Sequence, residues 1–338
     1  MTDIDTRGHT VRAKQLLKAI TTVAAAAGAL VAAGHVTAQA YPDRPLKLVV
    51  PYTPGGQFDI LARMVAERMS GSLGKAVVVE NRPGGGTMIG ADYVAKSKND
   101  GYTLLYAGAN MFAIAPHLYA KVPYQRSDFQ TISLVSELPM GLVVNPSVIP
   151  ARNLQEFAAH LKANPGKVYF ATSGSGGAQH LLCELIKDRT GTEMTHVPHK
   201  GTAQAIQDLL AGRVGAACDG LLAYIPHARA GTMRILGVSA ARRMEGIPDI
   251  PTFAEGGVPD ATVSSWGGFV APAGIPRPVL DRLHASVVAA ASAPDVRQRI
   301  VADAAVPRTS TPAEFDAQIQ ADFERWGGIV RKLGLKLE

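Results

Sequence analysis

Cysteine is almost missing from this chain: its 338 residues contain two, Cys183 and Cys218. Two cysteines exclude a disulfide framework, and no C-x-x-C motif is present. Both lie in apolar surroundings, which favours buried free thiols, although one bridge would persist in an oxidising compartment. Nucleotide signatures are also lacking. Gly84-Gly85-Gly86 runs into Thr87-Met88-Ile89 and breaks G-x-G-x-x-G, and no G-x-x-x-x-G-K-[ST] occurs. His196 and His199 are separated by Pro198 on a strand-to-loop segment, a poor zinc pair, and no carboxylate cluster stands out. No cofactor and no metal is therefore expected. The G-x-S-x-G elbow would need Gly at Ser173, which leaves a hydrolase built on Ser175 and His180 as the enzyme alternative.

Long hydrophobic runs are scarce too. The one that stands out, Ala19 to Gly34, follows Arg7, Arg12, Lys14 and Lys18 and precedes Ala38-Gln39-Ala40. A basic region, an apolar run and an A-x-A site make a cleavable secretory signal peptide over residues 1–40. Arg7 and Arg12 are not adjacent, so a twin-arginine signal is not supported. No later run approaches the ~20 residues of a spanning helix, so a soluble, exported mature chain starting at Tyr41 is expected. The formal charge is +6 for the whole chain, and its basic residues are scattered, which argues against a nucleic-acid partner.

What is present is an alternation of strands and helices. Leu46–Val50 reads as a strand, and Ile60, Leu61, Met64, Val65 and Met69 recur at helical spacing. Strands follow at 76–79 and 103–107, which predicts a mostly parallel sheet. A second series begins near Leu142-Val143-Val144, with a helix at 154–163 opened by Asn153 and Glu156 in capping-box spacing. Strands at 168–171, 194–197, 214–218 and 234–238 alternate with further helices. A returning strand at 267–271 and terminal helices, the last opened by Thr311 and Glu314, suggest that the tail rejoins the first domain. The class is α/β, with two domains and a cleft between them.

Three glycine-rich turns lie beyond the carboxyl ends of strands, where open α/β sheets bind ligands. The first is Thr53, Pro54, Gly55, Gly56, Gln57, Phe58 and Asp59. The second is Ser173, Gly174, Ser175, Gly176 and Gly177 with His180. The third is Lys200, Gly201 and Thr202, and Asp219 ends the next strand. Backbone N–H groups at a helix start, with the helix dipole behind them, form a seat for an anion. Asp59 either satisfies N–H groups of its own helix or contacts the ligand, and Asp219 shares that ambiguity. Phe58 either touches an apolar part of the ligand or packs inward.

These segments together resemble the receptors of tripartite tricarboxylate transporters, the Bug-type family. The matching residues are Tyr41-Pro42-Asp43-Arg44-Pro45, Pro54-Gly55-Gly56 with Asp59, and Glu80-Asn81-Arg82-Pro83-Gly84. Further on come Asp100-Gly101-Tyr102-Thr103-Leu104-Leu105, Thr195-His196-Val197-Pro198 with Lys200-Gly201, and Asp219-Gly220. Pro251-Thr252-Phe253-Ala254-Glu255 and Ser264-Ser265-Trp266 complete the set. The resemblance implies a two-lobed periplasmic binding protein of type II, a Venus flytrap with a mixed doubly wound sheet in each lobe. Lobe 1 would span 41–143 and 265–338, and lobe 2 would span 144–264. It also implies a non-enzymatic monomer that binds a small carboxylate in the cleft through Pro54–Asp59 and Ser173–His180, with His199–Thr202 and Asp219 nearby, and delivers it to membrane permease subunits. A receptor for a membrane signalling partner is the alternative. His199, Gly177-Ala178-Gln179 and Asn110-Met111-Phe112 depart from the family pattern, so ligand identity does not transfer.

Overall fold

Short apolar runs become strands and segments of helical period become helices, largely where the residue pattern places them. The computed structural model describes residues 41–261 and 263–336, and the expected signal peptide lies outside them. From Arg44 onward the chain forms one compact unit.

Strand β1 (Leu46–Val50) leads into helix α1 (Gln57–Leu73), then β2 (Val77–Asn81), α2 (Met88–Ala95) and β3 (Thr103–Gly108). β1 pairs in parallel with both β2 and β3. A π-helix at Asn110–Ile114 and a short α3 (Ala115–Leu118) precede β4 (Phe129–Val144). Then come α4 (Leu154–Ala163), β5 (Tyr169–Thr172), α5 (Ala178–Thr190), β6 (Thr195–Pro198), α6 (Thr202–Leu210) and β7 (Ala216–Gly220). The chain continues through α7 (Ile225–Arg229), β8 (Arg234–Val238), β9 (Ser264–Pro272), α8 (Arg277–Ala291) and α9 (Pro294–Ala302). It ends with β10 (Val306–Pro307) and α10 (Pro312–Leu333). Asn153 accepts from the Glu156 N–H, and Thr311 and Glu314 form a reciprocal capping box.

The strand order is β2-β1-β3-β9-β4-β7-β5-β6, with β8 and β10 also on β4. β4 corrects the expectation of a strand beginning near Leu142. All its residues except Gln130 and Glu137 are buried, so both faces are covered and no period-2 alternation marks it. Residues Phe129–Pro139 run antiparallel to β9, and Met140–Val144 run antiparallel to β7 and β8. The sheet is therefore mixed rather than mostly parallel. One continuous strand carries the chain through both halves of a two-lobed α/β fold. Helix α10 packs on both halves: Phe315 and Ile319 join Phe112 and Trp266, while Trp326 and Val330 join Leu181 and Leu185.

The cysteines are the second correction. Cys183 on α5 and Cys218 on β7 form a disulfide, not two thiols. Both are fully buried. Apolar surroundings describe a buried bridge as well as a buried thiol, so local sequence could not separate the two.

Candidate functional site

The first loop is held by a carboxylate that the sequence left ambiguous. Asp59, only 2% exposed, accepts from the Gly55 N–H (2.9 Å), Asn81 Nδ2 (2.8 Å) and Arg63 Nε (3.0 Å). Burial pushes its pKa up, but Arg63, the Gly55 N–H and Asn81 together hold it below the usual carboxylate value. Asn81 also donates to the Tyr52 carbonyl. Asp59 thus braces the turn, and its hydrogen-bonding capacity is spent on the protein. Gly55 has φ +79°, a left-handed conformation that suits glycine. Phe58 packs inward, stacked on Tyr52 at 4.1 Å and edge-on to Tyr106 at 6.1 Å. A Cβ on Gly108 would fall 2.3 Å from the Tyr52 hydroxyl, so the end of β3 has to be glycine.

The second loop has its own brace. The Gly176 N–H donates to His180 Nδ1 (3.3 Å), so that nitrogen is unprotonated and the proton sits on Nε2, 3.7 Å from Glu184. The His180 ring stacks on His196 at 3.9 Å, and His196 stacks on Phe170. Burial, with the neighbouring His180, Lys187 and His199, drives the His196 pKa down to about 3, and burial lowers that of His180. Both rings are neutral at pH 7. His180 is therefore a support for the loop, not a cation in the cleft. Among the described residues no hydrogen bond joins His180 to the exposed Ser175. In the third loop His199 turns back to Asp208 (2.8 Å), and Lys200 is exposed.

Asp219, 2% exposed, ties the second half together. It accepts from Ser173 Oγ (3.0 Å), the Gly220 N–H (2.8 Å) and the Tyr224 hydroxyl (3.4 Å). Ser173 and Asp219, predicted separately, are joined here, and the Thr202 side chain is among the groups that lower the Asp219 pKa. Burial raises the Asp219 carboxyl to about 6, more than those hydrogen bonds lower it. The folded chain therefore holds this proton more tightly than the unfolded chain does. Its contribution to stability is fully present below about pH 4, the unfolded value, and declines as pH rises through about 6. Relative to Asp219→Asn, the wild type should lose on the order of 2–3 kcal/mol of urea-measured stability between about pH 4 and about pH 7. A difference independent of pH would contradict a buried, titrating carboxylate.

The helices that start at these loops share an unusual feature. Helices α1, α5 and α6 open on Gly56, Gly177 and Gly201, none of which supplies a side-chain cap. Their first N–H groups are left to other partners. The two halves meet at these openings. A Cβ on Gly201 would lie 3.7 Å from Thr53 Oγ1, and one on Gly220 would lie 2.7 Å from Gln57 Oε1. The Ala178 N–H donates to Asn110 Oδ1 at 3.2 Å. Asn81, Asn110 and Gly220 were not among the predicted site residues. Asn81 and Gly220 stand inside the family-like motifs, which was the available signal for them. Two distinct cavities lie outside this cluster, one of about 550 Å³ beside Lys47 and Tyr102 and one of about 320 Å³ beside Phe112 and Phe323.

The chain is similar to known proteins over most of its length. The sequence model of the tripartite tricarboxylate transporter family receptor matches residues 61–335. Protein BugT of Bordetella pertussis is 37% identical over 308 residues, covering 90% of this chain and 94% of BugT. The structure of R. palustris Rpa4515 with adipate superposes with a TM-score of 0.83 at 33% identity, over 88% of this chain and 99% of the other. The periplasmic binding protein BugD gives 0.81 at 34% identity, over 88% and 100%.

Proposed function

The chain belongs to the tripartite tricarboxylate transporter receptor family, and from that premise we propose that it captures a small carboxylate in the periplasm for a membrane permease. The observation that carries this reading is the convergence of three glycine-capped helix starts at the contacts between the two halves. Each such terminus contributes only ~0.3–1 kcal/mol toward an exposed anion, so several must act together with water excluded. Two halves closing over one ligand achieve both.

In this reading the lobes are residues 41–143 with 265–338 and residues 144–264, and β4 is the span between them. Thr53–Asp59 and Ser173–Gly177 present backbone donors to the carboxylate, and Gly201 and Thr202 complete the wall. Asp59, His180 and Asp219 hold the loops in shape. The receptor acts as a monomer, reaches the periplasm through the cleaved leader at residues 1–40, and performs no chemistry. Ligand closes the lobes because it binds the closed form better than the open one, and the permease recognises that closed form. The adipate carried by the related Rpa4515 supports carboxylate as the ligand class.

A melting screen of mono- and dicarboxylates tests this. A ligand present at about 100 times its dissociation constant stabilises by ~2.7 kcal/mol, a shift of several degrees. If no carboxylate raises the melting temperature while the protein is folded, the assignment fails.

A further inference from the structure

The Asn110 side chain reaches across and occupies a donor of the α5 start. It begins the π-helix that follows β3, and the four residues behind it, Met111–Ile114, are buried. Tyr124 donates to the Met111 carbonyl (3.0 Å), which fixes the backbone at the base of this side chain. Its Oδ1 accepts from the Ala178 N–H. A Cβ on Gly177 would lie 3.4 Å from Asn110 Nδ2 and 3.6 Å from Oδ1, so the whole carboxamide sits over the helix start. Gly176 N–H is already committed to His180.

We propose that Asn110 is an affinity-setting residue, an internal and exchangeable occupant of the place on α5 that a ligand carboxylate takes. This rests on the carboxylate-receptor reading above. A carboxamide oxygen is a weaker acceptor than a carboxylate oxygen, because charge-assisted hydrogen bonds are roughly twice as strong as neutral ones. An ionised acid displaces it, whereas a neutral amide or alcohol of the same shape competes on equal terms and gains little. Tethering also gives the side chain a high effective concentration at that donor, so it screens out weak acceptors without blocking strong ones. Displacing it costs every ligand that takes this donor the same amount, so weak acceptors fall below useful affinity while ionised acids stay above it.

Two substitutions separate this role from a plain ligand contact. Asn110→Asp places a tethered carboxylate on the same donor, and Asn110→Ala leaves the donor open. Calorimetric titration with adipate, and with the strongest acid from the melting screen, should show affinity at least tenfold weaker for Asn110→Asp. It should be a few-fold tighter for Asn110→Ala, by the same factor for the acid and for its amide. Unchanged affinity in Asn110→Asp, or weaker affinity in Asn110→Ala, overturns the proposal. A ligand-free readout separates its failure from that of the receptor reading. Without ligand, Asn110→Asp should melt above wild type and Asn110→Ala below it. The reverse order overturns the occupant role even if no acid binds the wild type.

Discussion

Tryptophan in place of Gly56 is expected to abolish carboxylate binding, weakening it at least 100-fold, while the protein still folds. The backbone permits the change. Gly56 has φ −75° and ψ 165°, a conformation open to any L-residue, and a Cβ there meets only the Thr53 carbonyl oxygen at 3.6 Å. The added ring then stands at the start of α1, beside Thr53, where the opposing half approaches through Gly201. It covers the N–H groups offered to the anion and keeps the halves from meeting. A 100-fold loss corresponds to about 2.7 kcal/mol of binding free energy. Replacing a glycine cap by an apolar residue costs the fold only about 1 kcal/mol. Calorimetric titration alongside a melting curve separates the two effects. Wild-type affinity in this variant would remove the first loop from the site.

Converting Cys183 and Cys218 to serine together is expected to lower the unfolding free energy by about 3–4 kcal/mol. The bridge closes a loop of 35 residues, and the chain-entropy account of a cross-link of that span gives this magnitude. Two buried hydroxyls in apolar surroundings add to the loss rather than offset it. The bridge also joins two parts of the site, since Cys183 lies on α5 one turn beyond His180 and Cys218 immediately precedes Asp219. Urea unfolding measures the change, and thiol titration of the native wild type should detect no free thiol. An unchanged unfolding midpoint would mean that the bridge does not constrain the unfolded chain as argued.

Much of this architecture was readable from residues close together in sequence. Leu46–Val50 and Arg234–Val238 are strands over the expected residues, and Asn153 with Glu156 and Thr311 with Glu314 cap the expected helices. Other strand ends shifted by one to three residues, because they depend on which neighbour pairs with them. The segment from Phe129 to Val144 was not read as one strand, since burial on both faces removes the alternation that identifies strands. The three glycine-rich turns do open helices, but the partners that brace them were not legible. Nothing around Asp59 announces Asn81 as its partner, and nothing near Asn110 announces Ala178.

The sequence by itself determined the α/β order, the glycine openings of three helices and membership of the receptor family. Each of these depends on local conformational preference or on motifs read in order along the chain. Tertiary structure alone decided that Asp59 and Asp219 face inward as braces, that His180 is neutral and holds a loop, and that Cys183 pairs with Cys218. It also decided that Asn110 reaches α5 from the other half. A hydrogen bond, a bridge or a shifted pKa belongs to a pair of groups brought together in space. Those partners lie up to 68 residues apart along the chain, as Asn110 and Ala178 do, so no local pattern can record the encounter.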